Sequence, residues 1–450
     1  MIAETIAAAL RQATDTREVL IGEGVLGECA NVFRRNFGGS NVAFIADENT
    51  YRAAGETAHG VLLRAGVRLD ATHVFPGSPR LHPEIERVEQ VRRLLGESRA
   101  IPLVVGSGTL NDIVKLAAHQ VGRPYMVVAT AASMDGYTSF AAAITHAGVK
   151  RVDACPAPRA LLADVQVLAG APAELTSSGY GDLAGKVISG ADWMIADALG
   201  MDPIHRPAWD LIQPQLREWI AEPQRLAAGD PAALERLLGG LVMAGLAMQA
   251  ARSSWPASGS EHLFSHLWEM EGLPHAGREV SHGFKVALGA VACAAFYEKL
   301  LATDFSRLDV PARVQTWPTH QDLETEARRA FSLATVADSA AQESLAKYDD
   351  PSRVGQHLTY IEKHWPEMRE GLRAQLMPAA ELAGLMAQAG CPSTPEAVGL
   401  TRADLRRDYN RARMLRRRYT ALDLAFEAGV FPQLLEALFA PSGFWAQRSP

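Results

Sequence analysis

Cysteine is scarce in this chain. Cys29, Cys155, Cys293 and Cys391 are spread through 450 positions with no CxxC pair, which excludes a disulfide framework and a zinc knuckle. They read as buried thiols in a reducing cytoplasm. Cationic excess is lacking too: 44 Lys and Arg against 51 Asp and Glu leave a net charge of −7, so no general field draws the chain to nucleic acid or an anionic membrane. No uninterrupted apolar run reaches the roughly 18 residues that a membrane span needs. The N-terminus, Met1 to Arg11, carries Glu4 and no basic segment, so neither a span nor an export signal is expected.

What is present is a long chain, rich enough in apolar residues (48%) to build large cores and long enough for two domains. Short β-prone runs alternate with helical stretches at Glu18–Ile21, Asn41–Ala46, Thr72–Phe75, Pro102–Val105 and Tyr125–Ala129, and Ala160–Val165 extends the series past the linker-like Cys155-Pro156-Ala157-Pro158. Strand followed by helix, repeated, predicts a parallel sheet with crossover helices. Beyond Pro172 the pattern turns to helical periodicity through Leu237–Ala251, Phe284–Leu301 and Pro378–Gln388, which predicts an all-helical second domain.

Three strand ends in the first half carry candidate chemistry. Asp47 closes the Asn41–Ala46 strand, where dinucleotide folds place the acid that meets a ribose hydroxyl; the competing reading is a helix cap by Asp47 or Thr50. The Pro102–Val105 strand runs into Gly106-Ser107-Gly108-Thr109-Leu110-Asn111-Asp112 and a helix, a phosphate cradle in which free N–H groups and the helix dipole both favour an anion. Asn111 stands where a GxGxxG fingerprint would have its third glycine. The Tyr125–Ala129 strand opens into Thr130-Ala131-Ala132-Ser133-Met134-Asp135-Gly136-Tyr137-Thr138-Ser139, small hydroxyl residues around one acid, as a ligand-facing loop would have.

The second half concentrates histidine. Of 13 in the chain, His262, His266, His275 and His282 fall within 21 residues, where uniform scatter would put roughly 0.6. His262 and His266 share one helical face, and His282 starts the next helix. A divalent metal wants imidazoles and a carboxylate. Asp182, in Gly179-Tyr180-Gly181-Asp182-Leu183-Ala184-Gly185-Lys186, can supply it, and so by spacing can Glu261, Glu269, Glu271 or Glu279. Further on, an arginine-rich run from Thr401 to Thr420, with Leu405, Tyr409, Ala412, Leu415, Tyr419 and Leu422 at helical steps, predicts one amphipathic helix with a solvated or interface face.

These blocks, taken in order, resemble the sn-glycerol-1-phosphate dehydrogenases, the bacterial branch above all, within the iron-containing alcohol dehydrogenase and 3-dehydroquinate synthase-like superfamily. The resemblance rests on Gly106 through Asp112, Thr130 through Ser139, Gly179 through Lys186, and His262, His266 and His282-Gly283. It implies an α/β, Rossmann-like N-terminal domain over residues 1–168 and an all-α domain over 169–450, the dehydroquinate synthase-like architecture. It further implies Asp182, His262 and His282 as ligands of one divalent ion (Zn, Ni or Fe). Asp135 would meet the substrate hydroxyls and His266 would be a non-ligand histidine facing substrate. Gly106, Ser107, Gly108, Thr109 and Leu110 would hold the pyrophosphate of NAD(H), Thr130, Ser133 and Ser139 its nicotinamide side, and Asp47 its ribose. An acid at Asp47 favours NAD over NADP, because it repels a 2′-phosphate. Ser107 replaces the middle glycine usual in that loop. The implied reaction is reversible reduction of dihydroxyacetone phosphate, with another polyol dehydrogenase or an NAD-using cyclase as the alternative. Lys150, Lys186, Arg278 and Lys285 are the candidates to grip the substrate phosphate. The expected protein is a homo-oligomer in the cytoplasm, without nucleic acid or membrane partners.

Overall fold

Short apolar runs become one parallel sheet. The computed structural model describes residues 2–146, 149–348 and 350–448; the side chains of Val149 and Lys150, and with them the Lys150 candidate, lie outside the described residues. In chain order the strands are β1 (Glu18–Gly22), β2 (Val42–Asp47), β3 (Leu69–Phe75), β4 (Ile101–Gly106), β5 (Met126–Ala129), β6 (Ala141–His146), β7 (Val149–Ala154) and β8 (Ala160–Asp164). Six of them form a sheet of order β1-β8-β5-β4-β2-β3, parallel at every pairing. Each strand read from the sequence is in it, and β8, the run past the Pro-rich zone, lies between β1 and β5.

The alternation of side chains explains the burial. Val42, Phe44 and Ala46 of β2 share one face with Leu103 and Val105 of β4, Met126 and Val128 of β5 and Leu162 of β8, packed against Cys29, Val32 and Phe33 of a covering helix. The intervening Ala43, Ile45, Val104, Val127 and Leu161 are buried on the opposite face. A sheet covered on both faces needs such continuous apolar strands. The antiparallel pair β6 and β7 was not anticipated; its Ala141-Ala142-Ala143 start has little β preference.

The chain divides into two compact units, each assembled from three segments: Met1–Leu183 with Arg206–Ala257 and Gln388–Gly390, and Ala184–His205 with Ser258–Ala387 and Cys391–Pro450. The first holds the sheet, helix α1 (Gly108–Gln120) and, further along, α3 (Pro231–Ala251); helix α2 (Ala173–Ala198) runs through the cut after Leu183. Helix α3 is long and apolar enough to cross a membrane, yet 78% of its apolar window is buried within the fold, as befits a core helix. The second unit is largely helical and contains α4 (Ser260–Met270), α5 (His282–Leu301), α6 (Arg402–Met414) and α7 (Ala421–Glu427).

The arginine-rich run departs from the single helix expected. Helix α6 stops at Met414, and α7 restarts behind Thr420, whose hydroxyl and backbone N–H both bond the Asp423 carboxylate in a capping box. Nor is the face wholly solvated. Arg413 is buried, its guanidinium 3.6 Å from the centroid of the Phe426 ring and bonded to Glu326 and Asn410. Arg411 is buried against Asp408 and Glu271. All four cysteines are buried thiols outside any disulfide among the described residues, as read from the sequence.

Candidate metal and cofactor site

The candidate cofactor residues sit at the C-terminal ends of the parallel strands, where open α/β sheets bind ligands. Asp47 ends β2 as the cap of the next helix: its Oδ1 accepts from the Asn49 and Thr50 amides, each at 2.8 Å, and Thr50 Oγ1 accepts from the Asp47 amide at 3.1 Å. Gly106 ends β4, Ser107 is the cap position of α1, and Gly108, Thr109 and Leu110 form its first turn. A Cβ on Gly108 would stand 2.7 Å from the Met134 side chain, so the turn lies close against the next loop. Another glycine-rich run follows β1, Gly22-Glu23-Gly24-Val25-Leu26-Gly27, with the full GxGxxG spelling. Two of its amides are already taken, since the Asp164 carboxylate accepts from Gly24 N at 3.2 Å and Leu26 N at 2.9 Å.

The loop after β5 is braced from two sides. Lys115 of α1, fully buried, donates to Gly136 O at 2.6 Å, Ser139 O at 3.0 Å, Ser139 Oγ at 3.3 Å and Ala141 O at 3.0 Å. Burial pushes its ammonium pKa down. From α3, Gln249 donates to Thr138 O at 2.6 Å, and Thr138 Oγ1 donates to Val242 O at 2.9 Å. The Ser139 hydroxyl is thus committed inside the loop, while Thr130 and Ser133 lie buried near the strand exit. Lys115 was missed in the sequence; the signal was a lysine amid the apolar positions Ile113, Val114 and Leu116.

Asp182 reaches the same loop. The Asp135 amide donates to Asp182 Oδ2 at 2.9 Å. The glycines before it make this approach feasible: a Cβ on Gly179 would fall 1.9 Å from the Ala132 carbonyl oxygen, so α2 lies against the loop at a distance only glycine allows.

The three histidines of the second unit converge. The ring of His262 lies 6.0 Å from that of His266 and 5.3 Å from that of His282. His262 Nδ1 is 2.7 Å from Glu261 Oε1, and His282 Nδ1 is 2.7 Å from Glu269 Oε1 and 3.2 Å from Ser265 Oγ. A carboxylate only accepts, so each Nδ1 carries the proton and each Nε2 keeps its lone pair for a metal. Two of the glutamates that spacing alone could not exclude as ligands therefore stand behind the histidines as their orienting partners. Glu261 is itself fixed by the Gly259 amide at 2.8 Å, beside Asp192, whose buried carboxyl is pushed up to about 6 by desolvation and then by the Glu261 charge. His266 differs: its Nδ1 is buried without a hydrogen-bond partner among the described residues, and desolvation holds its pKa well below the usual histidine value.

Among the described residues of the second unit, His262 and His282, with rings 5.3 Å apart, both leave their Nε2 open to a metal ion. Two neutral imidazoles and a carboxylate are a donor set that fits zinc, nickel or iron. Of the cation candidates, Lys186 and Lys285 are buried, and Lys285 Nζ lies 3.2 Å from Glu279 Oε1; Arg278 lies in the short strand Arg278–Glu279.

Against known proteins, the family described as "Iron-containing alcohol dehydrogenase" matches residues 20–172. The glycerol-1-phosphate dehydrogenase [NAD(P)+] of Halalkalibacterium halodurans is 32% identical over 57% of this chain and 65% of its own length; the chain thus spans just under two thirds of that relative. The proteins of the same name from Bacillus velezensis, 32% identical over 65% of this chain and 74% of its own, and Pyrococcus furiosus, 30% identical over 61% and 77%, are similar in the same way. In fold, a glycerol dehydrogenase from Schizosaccharomyces pombe (TM-score 0.57, 15% identical, 94% of this chain and 91% of that one) and a maleylacetate reductase from Agrobacterium tumefaciens (TM-score 0.57, 16%, 97% and 98%) share the architecture. A parallel sheet followed by a largely helical part defines the class: the chain belongs to the iron-containing alcohol dehydrogenase family, in the branch of the bacterial and archaeal glycerol-1-phosphate dehydrogenases.

Proposed function

We propose that this protein is an NAD-dependent, metal-dependent dehydrogenase that reversibly reduces dihydroxyacetone phosphate to sn-glycerol 1-phosphate. The observation that carries the reading is the convergence of His262 and His282, each with its Nδ1 held by a glutamate, in a chain of this family, with Asp182 as the third ligand. A divalent ion held by these three would supply Lewis-acid polarisation of a carbonyl oxygen. NAD(H), which carries the hydride, would lie with its pyrophosphate on Gly106, Ser107, Gly108, Thr109 and Leu110, its ribose at Asp47 and its nicotinamide along Thr130, Ser133 and Ser139. The relatives' names admit both NAD and NADP; the carboxylate of Asp47 favours NAD by repelling a 2′-phosphate.

The chain's own residues do the rest. Asp135 binds the substrate hydroxyl, positioned by the bond from its amide to Asp182. His266, kept neutral by burial, passes the proton between the substrate oxygen and solvent. Lys186, Arg278 and Lys285 are the cations from which the phosphate grip is drawn. Residues 1–168 serve the cofactor and residues 169–450 the metal and substrate, in a cytoplasmic homo-oligomer. The test is turnover of dihydroxyacetone phosphate with NADH after loading with zinc, nickel or iron, with the chirality of the product determined. An sn-1 product supports the reading; an sn-3 product, or turnover of glycerol alone, overturns it.

A further inference from the structure

The opposite edge of the sheet carries a second polar cavity. About 290 Å³ in volume, it lies at the N-terminal ends of β1, β8 and β5 and is lined by Arg17, Arg159, Arg123, His119, Lys115 and Asp15 among others. Asp47 and Gly106 end their strands and Thr130 follows β5, all at C-terminal ends, so the cavity is separate from the proposed cofactor site.

Its charge is unbalanced. Arg17 and Arg159 immediately precede β1 and β8, and the register Glu18↔Ala160 sets them side by side, with Arg17 N donating to Arg159 O at 2.8 Å. Among the described residues, no carboxylate pairs with either guanidinium; that of Arg159 rests over the Phe37 ring at 5.9 Å and donates only to Asn36 O at 3.4 Å. The one lining carboxylate, Asp15, accepts from the Ala157 amide at 3.1 Å. Arg123 is anchored on Ala100 O and Ser98 O, which fixes a third guanidinium in the wall. Adjacent guanidiniums without a counter-charge repel, in a chain whose net charge is −7. Their planar forks match the oxygens of a phosphate group.

The back wall supplies a link. Lys115 lines the cavity, and its ammonium holds Gly136 O, Ser139 O and Ala141 O of the loop that carries Asp135. We infer that this cavity is a second anion site, taking inorganic phosphate or a small phosphate monoester between Arg17 and Arg159 and coupled through Lys115 to the 135–141 loop. The site stands whether or not the proposed reaction does, because its evidence lies wholly at the N-terminal edge of the sheet.

The test titrates the full-length protein with inorganic phosphate, and separately with glycerol 2-phosphate, by calorimetry, comparing wild type with the Arg17→Ala/Arg159→Ala variant. Both side chains are exposed, so the variant should fold, which its melting temperature checks. The wild type should show a class of sites that the variant binds at least tenfold more weakly, with phosphate-free turnover unchanged. Tighter binding of the monoester assigns the site to a phosphorylated metabolite, and equal binding to the phosphate group alone. Amide exchange at residues 136–141 should slow on phosphate addition in the wild type only. Absence of phosphate binding in the wild type, equal affinity and stoichiometry in the variant, or unchanged exchange at 136–141 overturns the inference.

Discussion

Replacing Gly179 by alanine tests how α2 is seated. An added Cβ would lie 1.9 Å from Ala132 O, 2.8 Å from Ala132 C and 3.1 Å from Leu241 Cδ1. The obstacle is backbone, so it cannot rotate away, and relief to an ordinary contact needs a shift of about 1.5 Å by helix or loop. Overpacking of this kind costs about 1–3 kcal/mol, set against about 1 kcal/mol of helix propensity that alanine returns. The shift acts one turn from Asp182 and on the loop that begins Asp135, whose amide bond to Asp182 is 2.9 Å long. Misplacement by about 1 Å costs on the order of 100-fold in rate. Gly384, inside the helix Ala379–Gln388 with nothing within 4 Å of an added Cβ, is the internal control. Gly384→Ala should gain about 0.5–1 kcal/mol. Urea denaturation and steady-state turnover of both variants decide: Gly179→Ala should lose stability and most activity while Gly384→Ala loses neither. A Gly179→Ala enzyme with wild-type stability and rate would refute the packing argument.

Glu269→Gln weakens the acceptor behind His282 and should lower metal affinity about 10–100-fold, read by competition with a chelator; unchanged affinity would mean the carboxylate does not orient the ring. Lys115→Met removes the ammonium from Gly136 O, Ser139 O and Ala141 O, the first and last of which keep the Ser139 hydroxyl as donor, and should destabilise the first unit by about 1–3 kcal/mol in chemical denaturation. Asp192, pushed up to about 6 from the ordinary aspartate range by burial and then by the Glu261 charge, takes up a proton on folding, so its ionisation removes stability as pH rises through that window. Stability at pH 7 relative to pH 4 should therefore rise by about 2 kcal/mol in Asp192→Asn, measured by urea titration at both pH values.

The sheet was legible because its strands are nearly uninterrupted apolar runs, such as Val42 to Ala46 and Leu103 to Val105, ended by glycine or a capping acid. The histidine cluster was legible from density and spacing: three of its four members converge. Long-range pairing was not. Nothing in the spacing distinguishes Glu261 and Glu269 as partners of Nδ1 from ligands in their own right, because both roles suit a carboxylate near a histidine. Lys115 was hidden by its residue type, since lysine in a helix is usually solvated, and here four loop oxygens replace water. The arginine run misled because its apolar steps continue through Leu415 and Tyr419, while the helix stops before Thr420 begins a new cap. A GxGxxG spelling at Gly22 to Gly27 has two of its amides filled by Asp164, a residue more than a hundred positions away.

The central claim is that Asp182, His262 and His282 hold one catalytic ion while His266 does not. The direct measurement is metal content per chain, by elemental analysis after loading and desalting, for wild type, Asp182→Asn, His262→Ala, His282→Ala and His266→Ala. Wild type and His266→Ala should each retain about one ion, with turnover lost in His266→Ala, and the other three should retain little or none. Full occupancy in Asp182→Asn, His262→Ala or His282→Ala, or its loss in His266→Ala, would contradict the account.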